Sequence, residues 1–243
     1  NAMDLRLTPA KLRGTAVPPP SKSQSHRALI AAYLAGSVDR LENLAQSQDI
    51  QATRRCMEAL LRPERGLPRL DCGESGSTLR FLIPIALALE GGGAFTGRGR
   101  LMERPLGPYF QIFDGQGMSH ELEDNVLTVR GDLSPGEYRL PGNVSSQFFT
   151  GLLMALPLLE GPSVVVSTTK LESASYVAMT MGVQERCGIR VRWSPQLNGF
   201  GVTPGVYCPF EETVEADWSQ AAFWYAAIAL GSNLRLRGLS GQS

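Results

Sequence analysis

The chain has 243 residues, 43% of them hydrophobic, and its 23 basic and 23 acidic side chains give a formal net charge of zero. That length suits one large domain or two small ones, with apolar residues enough for a packed core. Balanced charge gives no footprint for nucleic acid or an anionic membrane, and no apolar run reaches the roughly 18–20 residues of a membrane span.

Asn1 and Ala2 before Met3 read as a remnant of tag removal, so residues 1–3 are set apart. Asp4, Arg6, Lys11 and Arg13 follow without an apolar block, so no signal peptide is expected. Cys56, Cys72, Cys187 and Cys208 are scattered, with no C-x-x-C and only His26 and His120 beside them. That pattern predicts no metal site and free thiols in a reducing cytoplasm.

Pro18 to Pro20 holds the chain extended before Ser21-Lys22-Ser23-Gln24-Ser25-His26-Arg27, which opens an apolar helix ending at Gly36. Ser23 or Ser25 is the expected cap. Free N–H groups at such a helix start favour an anion, and Lys22 and Arg27 add charged donors. A strand is expected over Val38–Leu44, an amphipathic helix over Asp49–Leu61, and a short strand over Leu67–Leu70.

The opening motif then recurs. Gly73-Glu74-Ser75-Gly76-Ser77-Thr78-Leu79-Arg80 opens an apolar helix to Leu89, followed by a strand at Gly93–Thr96, a helix at Arg104–Phe113, and strands at Met118–Glu121, Asn125–Val129 and Glu137–Leu140. Gly142-Asn143-Val144-Ser145-Ser146-Gln147 opens a third, with a strand at Ser163–Thr168, a helix at Ser175–Cys187, and strands at Ile189–Trp193, Gly199–Val202 and Thr213–Glu215. Ala216-Asp217-Trp218-Ser219-Gln220 opens a fourth, with a strand at Asn233–Leu236. Phe148, Phe149, Trp224 and Tyr225 sit at helical spacing and read as core aromatics. A period of roughly 70 residues exceeds solenoid repeats. It predicts an α/β (α+β) domain of three βαβαββ units, the first shortened because it lacks a hairpin. The end, Arg237 to Ser243, echoes Leu44 to Gln48, and so reads as the start of a further, incomplete domain.

Pro20-Ser21-Lys22-Ser23 with Ser25-His26-Arg27 resembles the first signature of the 5-enolpyruvylshikimate-3-phosphate synthases (3-phosphoshikimate 1-carboxyvinyltransferases). Ser75 to Phe81 resembles the second, and Arg104-Pro105, Ser145-Ser146-Gln147, Tyr176 with Thr180, and Asp217-Trp218-Ser219 with Ala222 resemble later blocks in the same order. The resemblance implies a two-domain enolpyruvyl transferase fold. Residues 18–213 would then be a complete three-unit domain, and 4–17 with 214–243 fragments of its partner.

The resemblance also implies transfer of the carboxyvinyl group of phosphoenolpyruvate to the 5-hydroxyl of shikimate 3-phosphate, with release of phosphate and no cofactor or metal. Lys22 would bridge both substrates; Ser23 and Arg27 would hold the shikimate moiety. Ser145 and Ser146 would bind its phosphate, Gln147 would reach both ligands, and Ser173 and Tyr176 would complete the phosphate site. Gly76 would let the backbone approach phosphoenolpyruvate, and Arg104 would clamp it from a helix start. Asp217 is expected to cap its helix, and His26 is given no role. Glu74 stands where many relatives carry an amide, with Arg80 as its candidate partner; no proline precedes Tyr176 as it does in many relatives. The acid–base carboxylates would lie beyond Ser243, so this chain alone is expected to lack turnover and to carry no catalytic residue.

Two alternatives stand beside this. A UDP-sugar enolpyruvyl transferase would want Lys-Asn at Lys22-Ser23 and a cysteine after the second signature, yet none lies between Cys72 and Cys187. A non-catalytic binding or assembly domain would need no cations gathered at one edge. Neither nucleic acid nor membrane is an expected partner; relatives of full length are expected to be monomers. Phe223, Trp224 and Ile228 would be bare here, so dimerisation through 214–243 is expected.

Overall fold

The structure is a computed structural model and describes residues 8–62 and 65–240. The tag remnant, the first residues of the 4–17 segment and Gly241-Gln242-Ser243 lie outside the described residues. The chain runs β1 (Arg13–Ala16), α1 (Lys22–Ala35), β2 (Leu41–Glu42) and α2 (Gln48–Leu61). Next come β3 (Arg69–Asp71), α3 (Gly76–Glu90), β4 (Gly92–Thr96), α4 (Gly107–Gln116), β5 (Ser119–Glu123) and β6 (Val126–Arg130). Then follow β7 (Glu137–Leu140), α5 (Ser146–Ala155), β8 (Ser163–Ser167), α6 (Ala174–Arg186), β9 (Val191–Ser194) and β10 (Gly199–Val202), and last β11 (Glu212–Thr213), α7 (Trp218–Ala229) and β12 (Asn233–Leu236).

Two sheets share one topology. One has the order β3-β4-β6-β5 and the other β7-β8-β10-β9; in each the first pair is parallel and the rest antiparallel. Each therefore closes a βαβαββ unit. Their strands alternate as a half-buried sheet should: Leu127 and Val129 of β6, and Tyr138 and Leu140 of β7, face inward. The remaining unit joins both ends of the chain, because β11 pairs in parallel with β2, the strand that follows α1. This corrects the sequence partition. Each unit opens on the strand before its capped helix, so the strand expected at Leu67–Leu70 belongs to the second unit, not the first. Likewise 137–140 opens the third, and the strand near 213 returns to the first. Pairing partners far apart in sequence leave no local signal.

Local expectations also shift. Val38–Leu44 begins as a 3₁₀ turn, Val38–Arg40, with only Leu41–Glu42 as strand. The cap of α1 is Ser21, whose Oγ accepts from Gln24 N at 3.3 Å; Ser25 is already inside the helix, donating to Ser21 O and accepting from Ala45 N. At the other end Gly36 takes φ 66°, the left-handed conformation that ends a helix without steric cost.

Three helix junctions make the core, each pinned by a hydroxyl from a unit's second helix. Thr53 of α2 meets His26 of α1 and Thr78 of α3, both at 2.8 Å. Thr180 of α6 meets Arg27 of α1 at 2.8 Å and Thr150 of α5 at 2.9 Å. At the third, Tyr109 of α4 donates to Arg80 O of α3 at 2.7 Å, with Phe148 O of α5 at 3.1 Å. Pro84 explains that last bond: lacking an N–H, it leaves the carbonyl four residues back, Arg80 O, without a helical partner. Gly151 gives the Tyr109 hydroxyl its room; a Cβ there would also lie 2.5 Å from Arg80 O. Phe148 and Phe149 are fully buried around these junctions, as expected.

Trp224 and Tyr225 are not core residues. Among the described residues of α7 only Ala221 is buried, while Phe223 is 73% and Leu230 83% exposed. Asp217 does cap α7, accepting from Ser219 N and Gln220 N. Beyond it β12 pairs in parallel with β1, and this pair forms its own two-stranded sheet.

Candidate functional site

The first helices of the three units start at one cavity of about 520 Å³. Caps set each start: Ser21 for α1, Ser75 accepting from Thr78 N for α3, and Ser145 accepting from Gln147 N for α5. Such starts leave backbone N–H groups free and present the positive ends of the helix dipoles. The cavity is lined by Lys22, Ser23, Arg27, Gly76, Arg104, Ser145, Ser146, Gln147, Ser173 and Tyr176, so all ten residues singled out from the sequence meet there. Asp49, Glu74, Ser77, Phe81 and Val144 complete the wall.

Arg27 is 2% exposed. Its Nε donates to Thr180 Oγ1 at 2.8 Å, Nη2 to Thr150 Oγ1 at 3.1 Å, and Nη1 to Ser23 O at 2.7 Å. Phe81 and Tyr176 rings lie 5.1 and 5.8 Å from its Cζ. Burial lowers its pKa to about 10, so it stays charged at neutral pH. Among the described residues no carboxylate pairs with it.

Lys22 is exposed and paired with Asp49 at 2.9 Å. Sequence reasoning passed over Asp49; its position in the first turn of a helix capped by Ser47 looks like dipole complement alone. Gln147 is held by α3: its Oε1 accepts from Arg80 Nη1 at 2.7 Å and its Nε2 donates to Ser77 Oγ at 2.8 Å. Ser146 is buried, whereas Ser173 is exposed and takes φ 54°, ψ 40° with no side-chain cap for α6. A non-glycine residue in that region is strained, and such strain gathers at ligand sites.

Two expectations need correction. Arg104 does not begin a helix; it is extended, three residues before α4, so the helix-start argument against a cation there does not apply. Gly76 makes room for Arg104: a Cβ would overlap Arg104 Nη1 and lie 3.3 Å from its Cζ. Arg80 does not pair with Glu74 but holds Gln147 and Pro105 O, stacked 4.9 Å over Phe148. Glu74 is exposed and has no hydrogen bond or ion pair among the described residues. His26 is a core residue, its Nδ1 on Thr53 and its Nε2 without a partner, and burial lowers its pKa to about 3.

Electrostatically the cavity wants an anion. Arg104 lies against the first residue of α3, where the helix dipole repels it. Arg27, on the same cavity, is buried and has no carboxylate partner among the described residues. Two carboxylates, Asp49 and Glu74, share the wall, and Asp49 is paired with Lys22. No group of three or more metal-ligating side chains occurs among the described residues.

Comparison with known proteins agrees. The family model for EPSP synthase (3-phosphoshikimate 1-carboxyvinyltransferase) matches residues 7–243. The 3-phosphoshikimate 1-carboxyvinyltransferase of Clostridium beijerinckii is 39% identical over 261 residues, covering 97% of this chain and 60% of the relative. That of Clostridium kluyveri is 41% identical over 255 residues, covering 98% and 60%. Among solved structures, an EPSP synthase from Acinetobacter baumannii superposes with a TM-score of 0.76 at 21% identity, over 95% of this chain and 57% of that one, and shares its fold. The chain thus spans about 60% of the length of the relatives it matches. With the repeated βαβαββ units, and with five of the six motif blocks contributing to one cavity, the chain belongs to the EPSP synthase family.

Proposed function

We propose that this chain forms the shikimate 3-phosphate half of a site for carboxyvinyl transfer from phosphoenolpyruvate to the 5-hydroxyl of shikimate 3-phosphate. The observation that carries this is a buried, charged Arg27 without a counter-ion, opening on the same cavity as Lys22, Arg104 and the capped helix starts. Ser145, Ser146 and Ser173 offer hydroxyls and α5 offers backbone N–H groups to the 3-phosphate, with Tyr176 beside them. Arg27 and Ser23 take the shikimate moiety. Lys22 leaves Asp49 to stand between the two substrates, at modest cost, since an exposed ion pair is worth about 0–1 kcal/mol. Arg104 takes phosphoenolpyruvate over Gly76, and Gln147 is fixed within reach of both.

Transfer needs groups poised on both sides of the reacting atoms. One wall of them is here, so this chain binds without turning over. Residues 18–213 act as the complete unit; 4–17 and 214–243 belong with a second one. The bare face of α7 favours self-association through 214–243. Four unpaired cysteines suit the cytoplasm, and no helix of the described residues is long and apolar enough to cross a membrane.

Calorimetric titration with shikimate 3-phosphate tests this, with Arg27→Ala and the exposed Lys22→Ala as controls. Binding that both substitutions weaken is expected, with no phosphate released when phosphoenolpyruvate is added. Absence of binding, or binding indifferent to both substitutions, would refute the site; phosphate release would refute the half-site reading.

A further inference from the structure

The Arg27 junction holds more than a buried cation. Oγ1 of Thr180 lies 2.8 Å from Arg27 Nε, 2.9 Å from Thr150 Oγ1 and 3.0 Å from Tyr176 O. Oγ1 of Thr150 lies 3.1 Å from Arg27 Nη2. Each hydroxyl has one proton to give. One arrangement satisfies every contact: Thr180 donates to Tyr176 O, Thr150 donates to Thr180, and both offer lone pairs to the guanidinium. The bond to the carbonyl four residues back is one a helical threonine makes readily, and it fixes the rotamer.

A guanidinium has five N–H bonds in a rigid plane. Nε and Nη2 share one edge, and the threonine pair fills it. Ser23 O takes a hydrogen of Nη1 at 2.7 Å. Phe81 and Tyr176 stand by the group. What remains is one N–H on Nη1 and one on Nη2; with Ser23 O on the Nη1 hydrogen nearer Cδ, the two lie side by side along a single edge, the geometry that meets both oxygens of a carboxylate.

We infer that Thr150 and Thr180 are positioning residues that commit Arg27 to reading a carboxylate on the ligand through that one edge. They touch no ligand; they act through Arg27. The inference rests on the proposed reading of the site, in which the carboxylate is that of the phosphorylated hydroxy acid. It adds that discrimination for the carboxylate comes from helices α5 and α6, through two hydroxyls.

The test titrates the wild-type chain, Thr180→Val, Thr150→Val and Thr180→Ser with shikimate 3-phosphate and with its methyl ester, which keeps the phosphate and hydroxyls. Losing an acceptor for a charged donor should lower affinity for the acid roughly 10- to 100-fold. Affinity for the ester should stay within about twofold, and Thr180→Ser should restore most of the preference. Equal losses for both ligands, or no loss for the acid, overturn the inference while leaving the site reading intact. A second measurement needs no ligand. The Arg27 Nε–H, identified by nitrogen-15 NMR through its absence in Arg27→Lys, should exchange slowly with water, and faster in Thr180→Val. If the wild-type chain binds neither ligand, the site reading and the carboxylate assignment both fail, and this exchange rate alone decides the positioning claim: no difference between wild type and Thr180→Val overturns it.

Discussion

His26 and Arg27 are neighbours on α1, equally buried, and enter two junctions built alike. Each junction offers a hydrogen-bonded threonine pair, Thr53 with Thr78 on one side and Thr150 with Thr180 on the other. Phe81 serves both, edge-on to the His26 ring and against the Arg27 guanidinium. Yet burial drives His26 neutral and leaves Arg27 charged. Burial lowers both; arginine stays charged because it starts from 12.5 and histidine from 6.5. The surroundings differ as well. His26 has one hydroxyl and a bare Nε2; Arg27 has two hydroxyls, a carbonyl and a cavity. One polar residue closes a core and the other opens a site, on the same turn of helix.

The largest effect that would sharpen this contrast is acid sensitivity. Below the ordinary histidine pKa of 6.5 the unfolded imidazole gains a proton, while folded His26 stays neutral to about 3. The folded state binds fewer protons, so stability falls with pH across that window, by about 1.4 kcal/mol per unit and roughly 4–5 kcal/mol in all. Asp49 opposes this shift; Arg27 and Lys22 add to it. Denaturant midpoints measured from pH 7 to 4 should flatten in His26→Gln relative to the wild type. Parallel curves would mean that His26 is protonated in the fold.

The third junction offers the next largest break. Gly151→Ala puts a Cβ against the Tyr109 hydroxyl and 2.5 Å from Arg80 O, a backbone atom that cannot swing aside. A loss of about 3 kcal/mol is expected, a drop of roughly 6–12 °C in Tm. An unchanged melting curve would show that α3 and α5 slide apart freely.

Arg27→Lys keeps the charge and discards the fork. Shikimate 3-phosphate affinity should fall about tenfold or more. Equal binding by the lysine variant would mean that charge alone is read.

Smallest in stability is Gly76→Ala. The clash is with the free end of Arg104, so the fold should change by less than about 0.5 kcal/mol. The displaced guanidinium should still weaken phosphoenolpyruvate binding, measured with shikimate 3-phosphate present, about tenfold. Shikimate 3-phosphate binding should hold. Loss of both would merge the two arginine sites into one.

Much of this was legible because cations and hydroxyls sit together at breaks before apolar runs: Lys22, Ser23, Arg27, Ser145 and Ser146 announce helix starts that want an anion. Leu67–Leu70 was read as strand but given to the wrong unit, since pairing is non-local. Arg104 over Gly76 depends on a side-chain path, which local sequence does not encode. Thr150 looks like a spacer in a helical run and Thr180 enters only as a motif companion of Tyr176; the packed structure is what aims their lone pairs at Arg27.

The pairing of β11 with β2 has a consequence for how the molecule assembles. The second and third units each draw their strands from one continuous stretch, whereas the first waits for a strand made about 170 residues after β2, roughly 10–30 s later on a ribosome adding 5–20 residues per second. Helix α1, which carries Lys22, Ser23 and Arg27, is tied to that distant strand by Gln24 Nε2 on Glu212 Oε1 and to the residues after it by Ser21 N on Glu215 O, so one wall of the anion cavity is held by both ends of the chain together.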